Sequence, residues 1–381
     1  MSNYDEQALI KHKELGGKIG LTLKDNLDTK DKLSTYYTPG VAAVSKLLVD
    51  HPDKTREYTW IHNAVAVISD GSAVLGLGDI GPYGALPVME GKAMLFKHFA
   101  NIDAVPIVLN VHTADEIVES VKAIAPSFGG INLEDIAAPL CFEVEERLKK
   151  ELEIPVFHDD QHGTAIVVLA GLINACKITG RKLSDAKIVI SGAGAAGTAI
   201  VKLLHRYAKP RMFVVDSKGV ISKNRSDLNN EKKQLLHYCN FSDFDGSLSD
   251  ILAEGADVFI GVSKEGILTP DMVESMDKNP IIFAMANPVP EIMPDKALEA
   301  GAEGVATGRS DFANQINNAL VFPGIFRGAL DSNSKHITDD HKIAAAEALA
   351  KLVQKPTKNE IIPSILDNRV VGSISKVFDN K

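Results

Sequence analysis

Cysteine is scarce in this sequence of 381 residues: there are three, Cys141, Cys176 and Cys239, and they stand far apart. That spacing excludes a disulfide framework and a Cys-x-x-Cys metal site, and it suits a reducing compartment. Two of the three fall in apolar helical runs, where core packing is the expected role. Basic charge is also short. Lys and Arg number 41 against 50 Asp and Glu, a net charge of -9, which speaks against a nucleic-acid backbone as partner. No run of about 18 apolar residues stands out, so no membrane span is expected. The opening stretch MSNYDEQALIKHKELGG carries acids and lacks the basic and apolar regions of a secretory signal, so the expectation is a cytoplasmic protein. No internal repeat or low-complexity segment is evident. The length exceeds one typical domain, and two are expected.

What is present alternates strand with helix. Ala64–Ser69 (AVAVIS) and Ala104–Val111 (AVPIVLNV) read as buried strands, with helices predicted over 89–99, 114–124 and 142–152. Before them lies a leading helical segment broken at Gly16-Gly17. Pro39 then stands where a helix with the stripe Val41, Val44, Leu47 and Leu48 would begin. A second α/β unit starts near residue 161, with strands at Lys187–Ser191, Met212–Val215, Val258–Ile260, Ile281–Met285 and Gly304–Ala306. The fold class is therefore α/β: an N-terminal α/β domain over 1–160, then a Rossmann-type doubly wound dinucleotide-binding domain with C-terminal helices over 161–381.

Gly192-x-Gly194-x-x-Gly197 follows an apolar strand and opens a helix, and the next strand ends in Asp216. In this arrangement the first glycine makes the turn, the second lets backbone approach a pyrophosphate, and the third lets helix and strand pack closely. The helix N-terminus supplies N–H donors for the phosphates. Gly192, Gly194, Ala195, Ala196, Gly197 and Asp216 are the candidate cofactor contacts. Asp216 should hydrogen-bond the adenosine ribose and disfavour a 2′-phosphate, which points to NAD. Lys218, Lys223 and Arg225 are close in sequence and keep NADP open. A second run, Gly76-x-Gly78-x-x-Gly81, has the same spacing. Pro82 follows it, no helix is expected to start on its third glycine, and it reads as a place where backbone approaches a small substrate.

Two adjacent acid pairs complete the inventory. Asp159-Asp160 end the apolar strand of IPVFHDDQHGTA, and Glu134-Asp135 follow a Gly-Gly turn. Paired carboxylates repel, and a lysine or a hard divalent cation such as Mg²⁺ or Mn²⁺ would offset the repulsion. His158 and His162 flank the second pair; packing or hydrogen bonding is the role expected of them.

Eight segments, in order, resemble the bacterial short-type malic enzymes: YTPGVA (37–42), DGSAVLGLGDIG (70–81), EGKAMLFK (90–97), LEDI (133–136), FHDDQHGTA (157–165), GAGAAG (192–197), ANPVPEI (286–292) and NNALVFPG (317–324). The resemblance makes residues 1–160 the catalytic domain. It implies Tyr37 as general acid, Lys92 as general base, Asp159 as the acid pairing with that lysine, and Glu134, Asp135 and Asp160 as metal ligands. Asn287 and Asn318 match asparagines that meet substrate and nicotinamide. It implies oxidative decarboxylation of (S)-malate to pyruvate and CO₂ with NAD, using Mn²⁺ or Mg²⁺, in a homodimer. Two alternatives stay open: malolactic decarboxylation to lactate with bound NAD, and a non-catalytic NAD-binding sensor. The chain departs from the longer animal-type enzymes at Ala73, where those carry an arginine, so another group must hold the substrate carboxylate; Arg309 is a candidate.

Overall fold

A computed structural model describes residues 3–74, 76–239 and 243–379. Four short helices lead: α1 (Asn3–Leu15), α2 (Lys30–Tyr36), α3 (Val41–Asp50) and α4 (Thr55–Tyr58). The first sheet contains β1 (Ala64–Ser69), β2 (Asp103–Val108), β3 (Gly130–Leu133) and β4 (Val156–His158), all parallel, in the order β2-β1-β3-β4. Its crossovers are α5 (Gly81–Ala100), α6 (Ala114–Ile124) and α7 (Leu140–Glu151). α6 starts at Thr113, whose hydroxyl accepts from the Glu116 N–H while Glu116 answers to the Thr113 backbone, a reciprocal cap for two otherwise orphaned donors. Ile117, Val118 and Val121 then turn one face of α6 into the core.

The second sheet holds β5 (Lys187–Ser191), β6 (Arg211–Asp216), β7 (Gly219–Val220), β8 (Val258–Gly261), β9 (Ile281–Ala284) and β10 (Gly304–Thr307). Its order is β10-β9-β8-β5-β6-β7, parallel except for the β6–β7 hairpin. Chain order reverses between β5 and β8, and at such a reversal the crevice beyond the strand ends is the binding place of doubly wound sheets.

One helix expectation is corrected. α5 does start on Gly81 and runs to Ala100; Pro82 sits in its first turn, where the missing N–H would have had no partner anyway. One helix, α8 (Asp159–Thr179), is by length and composition able to cross a membrane. With 67% of that apolar window buried inside the protein, it is a core helix. Gly180, in the left-handed region, ends it.

α8 lies between the two sheets, and a single apolar core runs from Val67 and Phe96 through Leu169 to Ile188, Phe283 and Phe322. The helix Phe322–Asp331 that follows the second sheet returns to the first domain: the rings of Phe322 and Phe326 pack on Phe96 at centroid distances of 4.6 and 5.3 Å. Phe96→Ala should cost about 3–5 kcal/mol through lost burial and the cavity left behind, read from the shift of a denaturant unfolding curve; a cost under about 1 kcal/mol would mean that this junction is not a packed core.

Candidate active site

The parallel register of β3 and β4 brings the acid pairs together. Leu133 stands opposite His158, so the next residues along each strand, Glu134-Asp135 and Asp159-Asp160, emerge side by side at the same sheet edge. One carboxylate oxygen from each of Glu134, Asp135 and Asp160 lies within 4.8 Å of the others. Asp135 holds a left-handed backbone (φ 55), and its N–H donates to Asp160 Oδ2 at 2.8 Å. Three converging carboxylates are a hard oxygen donor set, which fits Mn²⁺ or Mg²⁺.

Lys92 comes from the inner face of α5 and is 8% exposed. Its Nζ lies 2.7 Å from Asp159 Oδ2 and 2.8 Å from Glu134 Oε1, with the Phe322 ring 4.2 Å away. Asn132 Nδ2 donates to Glu134 Oε2 at 2.9 Å. Burial works to lower the lysine's pKa, but Asp159, Glu134 and Asp160 outweigh it and hold Lys92 above the ordinary lysine range. Burial pushes Asp159 and Asp160 up to about 6, against the pull of Lys92. Asp159 Oδ1, Asn132 Oδ1 and both His158 ring nitrogens are buried without a hydrogen-bond partner. His162 bonds Glu145 at 2.9 Å, so it hydrogen-bonds as expected.

A cleft of about 540 Å³ adjoins the cluster. Asp160, Gly194, Ala195, Ala196, Asn287 and Asn318 line it, as do Gly76 and Gly78 of the other glycine run. Around the glycine turn the three roles separate. A Cβ on Gly192 (φ 119) would meet the Val262 carbonyl at 2.6 Å, one on Gly197 would meet the Gly192 carbonyl at 1.9 Å, and one on Gly194 would face open space. Gly192 and Asp216 line a neighbouring cavity of about 620 Å³.

Two sequence-derived candidates stand elsewhere. Tyr37 is 67% exposed on the N-terminal helices, not in the cleft. Arg309 gives its guanidinium to Asp311 and the Pro288 carbonyl and does not line the cleft. Residues not singled out beforehand include Asn132, Thr164, Ser263, Asn317 and Phe322. Asn132 had a signal, being polar in an otherwise apolar strand; Phe322 had none, because its contact with Lys92 spans most of the chain.

Models of the malic enzyme N-terminal domain and the malic enzyme NAD-binding domain match residues 17–149 and 161–375. The chain is 55% identical to the bifunctional malic/malolactic enzyme of Bacillus subtilis, over 97% of this chain and 91% of that protein. It is 53% identical to the NAD-dependent malic enzyme of Geobacillus stearothermophilus, over 98% of this chain and 77% of that one. The crystal structure of the NAD-dependent malic enzyme from Thermotoga maritima superposes with a TM-score of 0.94 at 49% identity, covering 98% and 99% of the two chains.

A Cβ on Gly163 would stand 1.9 Å from Asp159 Oδ1. Gly163→Ala should therefore displace the acid that holds Lys92 and cost about 1–3 kcal/mol of stability as overpacking, with turnover falling alongside. Unchanged unfolding and unchanged turnover would show that the site tolerates that displacement.

Proposed function

The chain belongs to the malic enzyme family, and from that footing we propose how its residues share the reaction. The chemistry is oxidative decarboxylation of malate to pyruvate and CO₂ with NAD(P) as hydride acceptor. The observation that carries the assignment is the convergence of Glu134, Asp135 and Asp160 beside Lys92, at the mouth of a cleft that also holds the glycine turn. We divide the chain into a catalytic part, 1–160, and a dinucleotide-binding part, 161–381.

Malate enters the cleft with its C2 hydroxyl toward Lys92, which takes the hydroxyl proton as the C2 hydride leaves for the nicotinamide. Asn287 and Asn318 orient substrate and nicotinamide. A bound Mn²⁺ or Mg²⁺, held by Glu134, Asp135 and Asp160, would supply Lewis-acid stabilisation of charge on the C2 oxygen. The bond to the C4 carboxylate then breaks, its electron pair staying on the three-carbon product until C3 is protonated. Among carboxylates alone Lys92 is an ammonium. It serves as base only where other positive charge offsets Glu134 and Asp159. Asp159 keeps the amine aimed. The free, buried cysteines support a cytoplasmic setting.

Tyr37, the proposed donor to C3, sits on a surface where Leu21, Leu23, Tyr36 and Val49 are also exposed. We assign that apolar surface to a homodimer contact, which brings the tyrosine of one protomer to the cleft of the other. The non-catalytic sensor reading gives way to family membership. Malolactic decarboxylation stays in view because the Bacillus subtilis relative carries both names.

An assay of malate with NAD or NADP, with Mn²⁺ or with a chelator, tests the whole reading. Reduced cofactor should appear in step with pyruvate and vanish with the chelator; lactate without net reduced cofactor would favour the malolactic route. Lys92→Ala should lower turnover at least about a hundredfold, and a smaller loss would remove Lys92 as the base. Mixed protomers of Tyr37→Phe and Lys92→Ala should recover turnover that neither variant has alone, and no recovery would sink the shared-site assignment.

A further inference from the structure

Glu291 takes no part in the chemistry above, yet it is completely buried, at 0% exposure. An acid out of water is costly unless its oxygens are hydrogen-bonded, and both of these are. Oε1 accepts from the Ser263 N–H at 3.1 Å and Oε2 from the Ala286 N–H at 2.9 Å. Burial pushes the carboxyl above its ordinary value, and these N–H groups pull it back part of the way. The donors mark the place where β8 and β9 end. One residue earlier, the Val262 N–H still reaches the Ser191 carbonyl at 2.9 Å and the Met285 N–H the Gly261 carbonyl at 3.0 Å. Beyond those bonds the chain leaves the ladder, and the Glu291 carboxylate stands in for the missing strand, one oxygen for each N–H.

Gly261 makes that approach possible. A Cβ there would stand 2.3 Å from Glu291 Cδ and 2.5 Å from Oε1, so a side chain would push the carboxylate off its donors. The backbone around Glu291 is fixed separately: the Leu268 N–H donates to the Glu291 carbonyl at 3.1 Å, and the Gly266 N–H to that of Pro290 at 3.2 Å. The segment has its own anchors, and the work of the carboxylate lies at the two strand ends.

Those ends form a wall of the cleft. Ser263, Ala286 and Asn287 line the 540 Å³ cleft beside Asp160. Ser263 also lines the 620 Å³ cavity that holds Gly192 and Asp216, so it stands where a dinucleotide would pass from its adenosine end to its nicotinamide end. Asn287 is closely hemmed in. A Cβ on Gly308 would come within 2.9 Å of its Nδ2, and one on Gly76, from the first domain, within 3.1 Å of its carbonyl oxygen. We propose that Glu291 is a positioning residue for the nicotinamide: by holding the Ser263 and Ala286 N–H groups it sets where Ser263 and Asn287 stand in the cleft, and with them the approach of the ring to malate. Glu291 lines neither cavity itself and acts through the backbone of residues that do. This role rests on the reading of Asn287 as a substrate and nicotinamide contact.

Glu291→Gln and Gly261→Ala test it in the full chain. The amide keeps the shape but turns an N–H₂ group toward one of the two donors, and the alanine displaces the carboxylate from outside. Each should lower kcat for malate at least about tenfold, as a small misplacement of reacting groups does, while calorimetric affinity for ADP-ribose, which lacks the nicotinamide, stays within about threefold of wild type. The ratio of NADH affinity to ADP-ribose affinity should drop at least about threefold, the size of one lost hydrogen bond. The double variant should be no more than about threefold slower than the slower single, because both changes break one contact. Glu291→Gln decides alone if the alanine variant does not fold. Equal losses of NADH and ADP-ribose affinity would make Glu291 a support of the whole domain, and kcat within about twofold of wild type would leave it without a part in the reaction; either result overturns the assignment. A wild-type chain that does not turn over malate would sink the activity and leave the affinity ratio to decide on Glu291.

Discussion

A buried ammonium shared between two carboxylates is the contact on which the other parts of this protein converge. Lys92 arrives from α5, Glu134 from the end of β3, Asp159 from the start of α8, and the Phe322 ring from the helix Phe322–Asp331. Each comes from a different stretch of chain, and each is fixed by packing that extends well beyond the site. Four acids meet one lysine there, so the cluster keeps an excess of negative charge in a place where water is largely excluded. Buried charge of one sign is costly unless it is paired. Asn132, the Asp135 N–H and the positive end of α8 offset part of that cost. The remaining negative charge is what the cation of the proposed reaction would neutralise.

The register of two short strands decides whether such a cluster can exist at all. With β3 and β4 parallel and Leu133 opposite His158, the acid pairs that follow them fall at one edge. A shift of one residue would turn Asn132 and Phe157 to opposite faces and separate the oxygens. α8 then carries the consequence to the second domain. Its first turn holds Asp159 and Asp160, Thr164 and Val167 line the cleft, and Gly194–Ala196 face them across it. One helix thus spaces the acids against the dinucleotide turn, and the proposed boundary at residue 160 falls inside a continuous element.

Much of this was legible because it is local. The glycine turn is a matter of strand, three glycines, helix and a terminal acid within a short stretch, and each glycine meets the steric situation its spacing implied. The acid pairs were legible as pairs. Their convergence was legible only through the family resemblance, because register is a long-range property and no local pattern encodes it. The start of α5 was missed because a proline was read as a break, when the first helical turn is where it fits. Asp216 was read correctly as the end of β6; its partners Arg225 and Lys232 lie in a polar stretch without periodicity, where sequence gives no direction to a side chain. Arg309 failed for a similar reason, since Asp311, two residues on, takes its charge.

Tyr37 presents a different case, in which energetics supplies what local pattern does not. Helices α2 and α3 bury no residue at all, and they have 7 and 10 residues. Helices shorter than about 12–15 residues are marginal in water by themselves and take most of their stability from packing an apolar face. Val41, Leu47 and their neighbours form such a face, and within one protomer nothing covers it fully. The homodimer proposed above would give this segment a second surface, and the apolar character of the face makes another protein surface a better match than solvent. The tyrosine's catalytic assignment and the homodimer are for that reason a single claim: the contact that would stabilise α2 and α3 is also the one that would carry Tyr37 out of solvent and toward a substrate.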